Sequence, residues 1–409
     1  MDVEITAEFR NELRSHFPAL AGETIFLENA GGSQVPVQVA DRIRDYLLES
    51  YVQLGAGYEL SRRSTDLVNR AHDFVRLLMG GEGGEVILGS SASVLLQMLA
   101  ECYSRVLKPG AEVIVAQTGH EANIGPWARL ERIGIRTRWW EMNPRTFTCS
   151  LDQFQDLLSN KTALVAFPHV SNLLGEIVDV RAITNLAHEA GARVVVDGVA
   201  FAPHRAMHVS DWGVDWYVYS TYKVFGPHMA ALWGRNDALE GLTGPNHFFI
   251  RDVPYQFELG GPSHEGCAGL LGLADYLEVA AGCGVDSDSG RSVVEQAFDV
   301  MTACERPLQA RLLDYLRSKP TVRIVGPEDD GPDRVGTISF VHSEKSSRAI
   351  AEIVDRTQIA IRHGHMYAYR LCEALELEPE DGVVRVSLVH YNTPDEIEKL
   401  IEVLDRALD

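Results

Sequence analysis

RVVVDGVAFAPH at 193–204 and WYVYSTYKVFGPH at 216–228 decide how this chain folds. Each opens as an apolar run rich in β-branched or aromatic residues. Such a run reads as a strand buried on both faces, the kind found in a parallel sheet covered by helices. Each run also leads into a residue with chemistry. Asp197 closes the first, and Lys223 stands three residues beyond Ser220, which closes the second. In open α/β sheets, ligand sites gather beyond the carboxyl ends of the strands.

Working outward, the same kind of run recurs as TIFL (24–27), EVIL (85–88), EVIVA (112–116), ALVAF (163–167) and MAALWG (229–234). Amphipathic stretches at 91–106, 121–133 and 181–190 lie between them, with turn signals such as KPG at 108–110. Strands alternating with helices predict an α/β fold built on a mostly parallel seven-stranded sheet with helices on both faces. Beyond about residue 250 the pattern changes. Residues 241–265 are rich in Gly, Pro, His and Phe and read as an irregular functional segment. A long helical stretch starts near Ser292, followed by TVRIV (321–325), VGTISFV (335–341), QIAIR (358–362) and VVRVSL (383–388). Helices are expected near 346–356, after 363 and from Pro394, the last with Thr393 as N-cap and Pro394 at N1. This is a smaller α+β unit. The expected division is an N-terminal segment at 1–20 packing with the small domain, a large cofactor-binding domain at 21–265, and a connecting helix with the small domain at 266–409.

The 409 residues are 45% hydrophobic and 23% charged, the composition of a globular chain with a sizeable core. A net charge of −21 argues against nucleic acid or an anionic membrane as partner. The six cysteines (Cys102, Cys149, Cys267, Cys283, Cys304 and Cys372) form no C-x-x-C pair, so neither zinc nor a dithiol is signalled and no metal is expected. The first residues, MDVEITAEFRNELRSHF, lack an apolar signal core, and no apolar run is long enough to cross a membrane. A cytoplasmic location is the expectation.

Four pieces at successive strand ends carry the chemistry. Ser90 and Ser91, with Ala92 after them, sit between a strand and a helix, where hydroxyls and free backbone N–H groups can cradle a phosphate. His120 follows EVIVA and offers a flat imidazole. The Asp197 carboxylate can pair with a pyridinium nitrogen. Lys223, once desolvated, is an amine fit for Schiff-base chemistry. Taken singly, each also reads as an ordinary N-cap, loop or surface residue. Together they supply an anion cradle, a ring neighbour, a pyridinium partner and an amine, which is the equipment for pyridoxal 5′-phosphate.

From about 20 to 408 the chain resembles the cysteine-desulfurase-like branch of aminotransferase class V, a fold-type I family. The motifs that carry the resemblance are FLENAGGSQVP (26–36), HEANIGPW (120–127), HVSNLLGE (169–176), VVVDGVAFAPH (194–204), YSTYKVFGPH (219–228), FELGGPSHEG (257–266) and VVRVSLVHYNT (383–393). The resemblance implies a Schiff-base role for Lys223, a pyridine-nitrogen contact for Asp197 and ring stacking for His120. It implies a contact to the cofactor's phenolic oxygen for Asn172, and phosphate contacts for Ser90, Ser91, Ser220 and Tyr222. Ala200 falls beside the ring oxygen. Arg385 matches the arginine that takes the substrate carboxylate, with Asn29, His365 and Tyr367 also on the substrate side. Gly261 lies in a loop that reaches a neighbouring subunit's cofactor, so a homodimer with shared active sites is implied.

Departures from the pattern bear on the reaction. Desulfurases of this group carry a nucleophilic cysteine after an R-x-G-x-x stretch; here the stretch is RHGHMY (362–367) and the slot holds Tyr367. A phenol cannot accept sulfur as a persulfide, and Cys372, five residues on, reads as a core residue. Ala200 stands where many relatives have Gln or His, Gly261 replaces a hydroxyl residue, and Tyr222 replaces a histidine. The leading expectation is β-elimination at the C–S bond of a cysteine S-conjugate, with Lys223 removing the Cα proton. Alternatives on the same scaffold are decarboxylation-coupled oxidative deamination, epimerisation with Tyr367, His365 or Tyr391 as second proton donor, and transamination. A non-catalytic partner protein derived from a desulfurase is the reading from another class.

Overall fold

The computed structural model describes residues 5–282 and 290–409. Cys283 lies outside the described residues. The strands in chain order are β1 (Ile25–Phe26), β2 (Gly84–Gly89), β3 (Glu112–Ala116), β4 (Arg136–Trp140), β5 (Thr162–Pro168), β6 (Arg193–Asp197), β7 (Trp216–Ser220), β8 (Ala230–Arg235), β9 (Val322–Val325), β10 (Thr337–His342), β11 (Ile359–Ala360), β12 (Arg362–Gly364) and β13 (Val383–Ser387).

The central sheet has seven strands in the order β2-β8-β7-β6-β5-β3-β4. Only β8 runs against its neighbours; the pairs β3–β4, β3–β5, β5–β6 and β6–β7 are parallel. Its membership differs from expectation at one place. TIFL does not join this sheet, because β1 pairs in parallel with β11, more than 300 residues away in sequence. The missing strand is β4, RTRWW, on the sheet edge beside β3. Two arginines and an exposed start give it a polar pattern, which hides it among turns.

Period-two alternation explains how the sheet is held. Ile114, Val165, Val194, Val196, Tyr217 and Tyr219 face one core. Val113, Val115, Leu164, Ala166, Val195, Trp216 and Val218 face the other. The first core is closed by helices Glu59–Met79, Val180–Glu189 and His264–Ala280, with the start of Gly290–Arg317. The second is closed chiefly by Ala92–Ser104 and the short helical turns after His120. The stretch 121–133, expected as one helix, is broken into two 3-10 segments and one α-helical turn, with Pro126 inside it.

A second, antiparallel sheet has the order β12-β13-β10-β9. Its apolar face packs on Gly290–Arg317, Ser347–Val354 and Pro394–Leu408. The last helix starts with a capping box: Thr393 accepts from Glu396 N–H while the Glu396 side chain accepts from Thr393 N–H. The N-terminal helix Ala7–Ser15 is tied to this region by two arginines. Arg10 donates to the carbonyls of Cys304 and Asn392, and Arg14 donates to the Tyr391 carbonyl and the Glu396 carboxylate.

Candidate active site

The carboxyl ends of β2, β3, β5, β6 and β7 converge on one cavity of about 540 Å³. Of the residues singled out in the sequence, Ser91, Ala92, His120, Asn172, Asp197, Ala200, Ser220, Tyr222 and Lys223 line it. Ser93, Ala122, Pro168, Val170 and Val199 line it too and were not singled out. Each is a near neighbour of a residue that was.

Lys223 ends the 3-10 turn Thr221–Lys223 that follows β7. Burial pulls its pKa down to about 8; Arg385 adds to the drop, while Asp197 and Glu28 oppose it. Asp197 is 5% exposed, and its Oδ1 accepts the Val199 N–H at 2.9 Å. Burial pushes its pKa up, against the pull of that N–H and of Lys223. The backbone behind Asp197 is braced: its carbonyl accepts the His169 N–H, and the His169 ring stacks on Phe201 at 3.6 Å and meets the Tyr217 hydroxyl at 2.9 Å. A Cβ on Gly198 would lie 2.2 Å from that hydroxyl, so only glycine fits after the aspartate.

His120 caps the short turn after it: Nδ1 accepts the Ala122 N–H at 3.0 Å, which leaves the proton of the neutral ring on Nε2. Burial, with Lys223, Arg385 and His365 nearby, lowers its pKa to about 4, so the ring is neutral at physiological pH. Of the two serines proposed for the anion cradle, one caps a helix at the cavity. Ser91 is the N-cap of the 13-residue helix Ala92–Ser104 and accepts from Val94 N–H, while Ser90 is exposed and does not line the cavity.

Arg385, on β13, is 3% exposed. One of its terminal nitrogens donates to the Asn172 carbonyl at 3.1 Å, and its Nε has no hydrogen-bond partner among the described residues. Burial lowers its pKa to about 10, so it stays charged at neutral pH. A buried guanidinium with an unused donor suits an incoming carboxylate. Sequence reading missed Glu28 and Arg362 here. They pair at 2.5 Å, Arg362 lies directly across from Arg385 in the β12–β13 register, and Glu28 raises the pKa of both Lys223 and Arg385. The E in FLENAGG and the R in RHGHMY were the available signals.

Arg385, Asn29, Gly261, His365 and Tyr367 do not line the cavity. Asn29 does not line the cavity: its amide donates to Phe26, Ser387 and Asn392 and accepts from the Tyr391 hydroxyl, leaving nothing for a substrate. Tyr391 is correspondingly spent. Gly261 is exposed with φ +77° and lies away from this chain's own cavity. Tyr367 is 65% exposed and sits over His120, ring centroids 5.1 Å apart. His365 accepts the Tyr367 N–H at 3.0 Å, and the flap is pinned through Met366 and Tyr367 carbonyls to Asn172 and Glu121.

None of the described cysteines lines the cavity; Cys372 is buried and burial raises its pKa to about 11. Among the described residues, no cluster of three or more His, Cys, Asp or Glu could hold a metal. Nor is any helix among them long and apolar enough to cross a membrane.

An amine, a buried carboxylate, a flat neutral imidazole and a helix start around one cavity define a class: fold-type I enzymes dependent on pyridoxal phosphate. The comparisons bear this out. The aminotransferase class-V profile matches residues 25–400, and the chain belongs to that family, in its cysteine-desulfurase-like branch. It is 38% identical to the aminotransferase-like protein FGM3 of Gibberella zeae, over 97% of this chain and 98% of that one. It is 31% identical to the cysteine desulfurase-like protein ustD of Aspergillus flavus, over 97% and 90%. The apo structure of a cysteine desulfurase from Thermococcus onnurineus NA1 superposes with a TM-score of 0.87 at 24% identity, covering 100% and 99% of the two chains, which shows the shared fold.

The cavity suits the cofactor. Among the described residues the Asp197 carboxylate has one hydrogen bond and the buried Asn172 Oδ1 has none, so both keep capacity for a bound ring. Lys223 would hold the aldehyde carbon, Asp197 the ring nitrogen, and the start of helix Ala92–Ser104 with Ser220 and Tyr222 the phosphate.

Proposed function

We propose that the protein cleaves the C–S bond of a cysteine S-conjugate by β-elimination, releasing a thiol, pyruvate and ammonia. One observation supports the reading: no described cysteine lines the cavity that holds Lys223, and Tyr367 stands at the position where the family resemblance would put a sulfur-accepting thiol. Bound pyridoxal phosphate supplies an electron sink that weakens the bonds at Cα.

The chain's own residues do the rest. Arg385 takes the α-carboxylate and so orients Cα, with Glu28 moderating the local positive charge. Lys223 in its neutral form accepts the Cα proton, and its lowered pKa makes that form available near neutral pH. The electron pair of the breaking C–S bond leaves on sulfur as a thiolate, which takes back the proton that Lys223 removed from Cα, while the neutral His120 ring lining the cavity can offer its Nε2–H as a hydrogen bond. Water then completes the conversion to pyruvate and ammonia, so no external oxidant is needed. Ala200 leaves room for a sulfur substituent. A homodimer belongs to the same proposal: Phe248, Phe249 and Leu259 are more than 60% exposed beside the open Gly260–Gly261 turn, an apolar surface suited to a second copy.

The test is to mix cofactor-loaded protein with S-methyl-L-cysteine and larger S-alkyl cysteines while following thiol, pyruvate, carbon dioxide and the cofactor spectrum. Thiol and pyruvate are expected in equal amounts, with a rate that climbs with pH and levels off above about pH 8, where Lys223 loses its proton. Carbon dioxide, an aldehyde or pyridoxamine phosphate without thiol would sink the proposal. So would deuterium entering at Cα with no other product, the mark of an epimerase.

A further inference from the structure

We infer that Ser33 is a positioning residue for Lys223, holding the peptide groups on either side of it and fixing the lysine relative to Arg385. The inference rests on the reading of Lys223 as the reactive amine.

Loop 221–227 is closed on itself by Thr221, whose carbonyl accepts the Val224 and Gly226 N–H groups and whose hydroxyl donates to the Pro227 carbonyl. Among the described residues, three hydrogen bonds tie its backbone between 222 and 226 to residues outside the loop, and Ser33 makes all three. Ser33 N–H and Oγ–H both donate to the Tyr222 carbonyl, at 3.2 and 3.1 Å. Ser33 Oγ also accepts the Phe225 N–H at 2.9 Å. Phe225 is fully buried with φ +57°, a conformation a bulky residue holds only when its surroundings impose it. Removing the hydroxyl would strand a buried donor at the strained residue two positions after the lysine.

The other end of the same turn is fastened to the strand that carries Arg385. Asn29 N–H and its side-chain amide donate to the Ser387 carbonyl, and Ala30 N–H donates to Ser387 Oγ at 2.8 Å. Residues 29–33 therefore form a strut from β13 to the lysine loop. The two groups that must meet one substrate come from different sheets, and this five-residue strut joins their backbones.

Lys223 can be followed without any substrate. In the apo chain, its acetylation rate by acetic anhydride is measured against pH by peptide mass spectrometry, in wild type, Ser33→Ala and Ser33→Thr. Borohydride trapping of added pyridoxal phosphate on Lys223 is run beside it. The wild-type midpoint is expected at about 8. Ser33→Ala is expected to raise it by about one pH unit, toward the ordinary lysine value, and to slow trapping about tenfold. Ser33→Thr, which keeps the hydroxyl, is expected to restore both. A Ser33→Ala chain with the wild-type midpoint and trapping rate overturns the inference alone. A wild-type chain in which borohydride traps no cofactor on Lys223 overturns the reading of the lysine and this inference with it. If Ser33→Ala does not fold, Ser33→Cys, with its weak S–H group in a similar volume, must show a smaller shift in the same direction; a wild-type midpoint in that variant overturns the inference.

Discussion

Two buried carboxylates sit at opposite ends of neighbouring strands, and they are treated oppositely. Asp215, just before β7, is fully buried and saturated: Arg193 and Arg235 reach Oδ1 at 2.7 Å, while His188 and the Val194 N–H reach Oδ2 at 2.8 Å. Asp197, at the end of β6, has the single Val199 N–H. A saturated buried charge is part of the scaffold; an undersatisfied one is capacity held for something else. At the same end of the sheet Glu112, which opens β3, pairs with Arg138 of β4, whereas the carboxyl ends of β2, β3, β5, β6 and β7 open on the cavity.

Substituting each carboxylate by its amide is the direct way to break this contrast. Asp215→Asn leaves the Arg193 and Arg235 guanidinium groups without their shared anion and is expected to cost about 3–5 kcal/mol of stability, read by chemical denaturation. Asp197→Asn is expected to lower turnover about 100-fold, the rate equivalent of about 3 kcal/mol, with the apo chain no less stable at neutral pH. The sign follows from linkage. Burial raises the folded-state pKa of Asp197, so its contribution to stability is full below the unfolded carboxyl pKa and is lost as pH rises through the folded value. An amide avoids that loss. If Asp197→Asn proves the more destabilising of the two, the division of labour between the ends of the sheet is wrong.

A third variant sharpens the contrast at the seam between the two sheets. Arg385→Lys keeps a positive charge but loses the planar donor pair, and is expected to raise KM for the amino acid about tenfold with a smaller change in kcat. Equal loss in both parameters would mean that Arg385 acts on the transition state rather than on binding.

The legibility of the chain followed the same divide. The end of β6 and the loop after β7 could be read directly, because an apolar run closed by Asp197 and another leading to Lys223 leave few alternatives. The start of helix Ala92–Ser104 was read as Ser90 and Ser91 together, since both are good caps in sequence, and the backbone geometry selects Ser91. β4 was missed because an edge strand needs no apolar alternation, and β1 was misplaced because nothing local reveals that its partner is β11. Asn29 was legible as important but not for its reason, since its amide is consumed by Asn392, Ser387 and Tyr391 from the far end of the chain. Glu28, Arg362 and Ser33 were overlooked because each acts across a contact between segments distant in sequence. Pairings of that kind depend on the closed fold, not on any local pattern.

The flap that carries Tyr367 has fixed ends. Gly364 leaves β12 at φ +116° and approaches Gly382 so closely that a Cβ on the latter would lie 2.1 Å from the Gly364 carbonyl. Helix Tyr369–Ala374 begins five residues after the first of these glycines ends its strand, and only His365, Met366, Tyr367 and Ala368 span the gap. That makes the segment a cassette. Ala368 is buried in a core cluster, so His365, Met366 and Tyr367 are the positions free to vary while both glycines stay, and a library confined to those three codons would test whether the segment influences substrate preference without touching a residue of either core sheet.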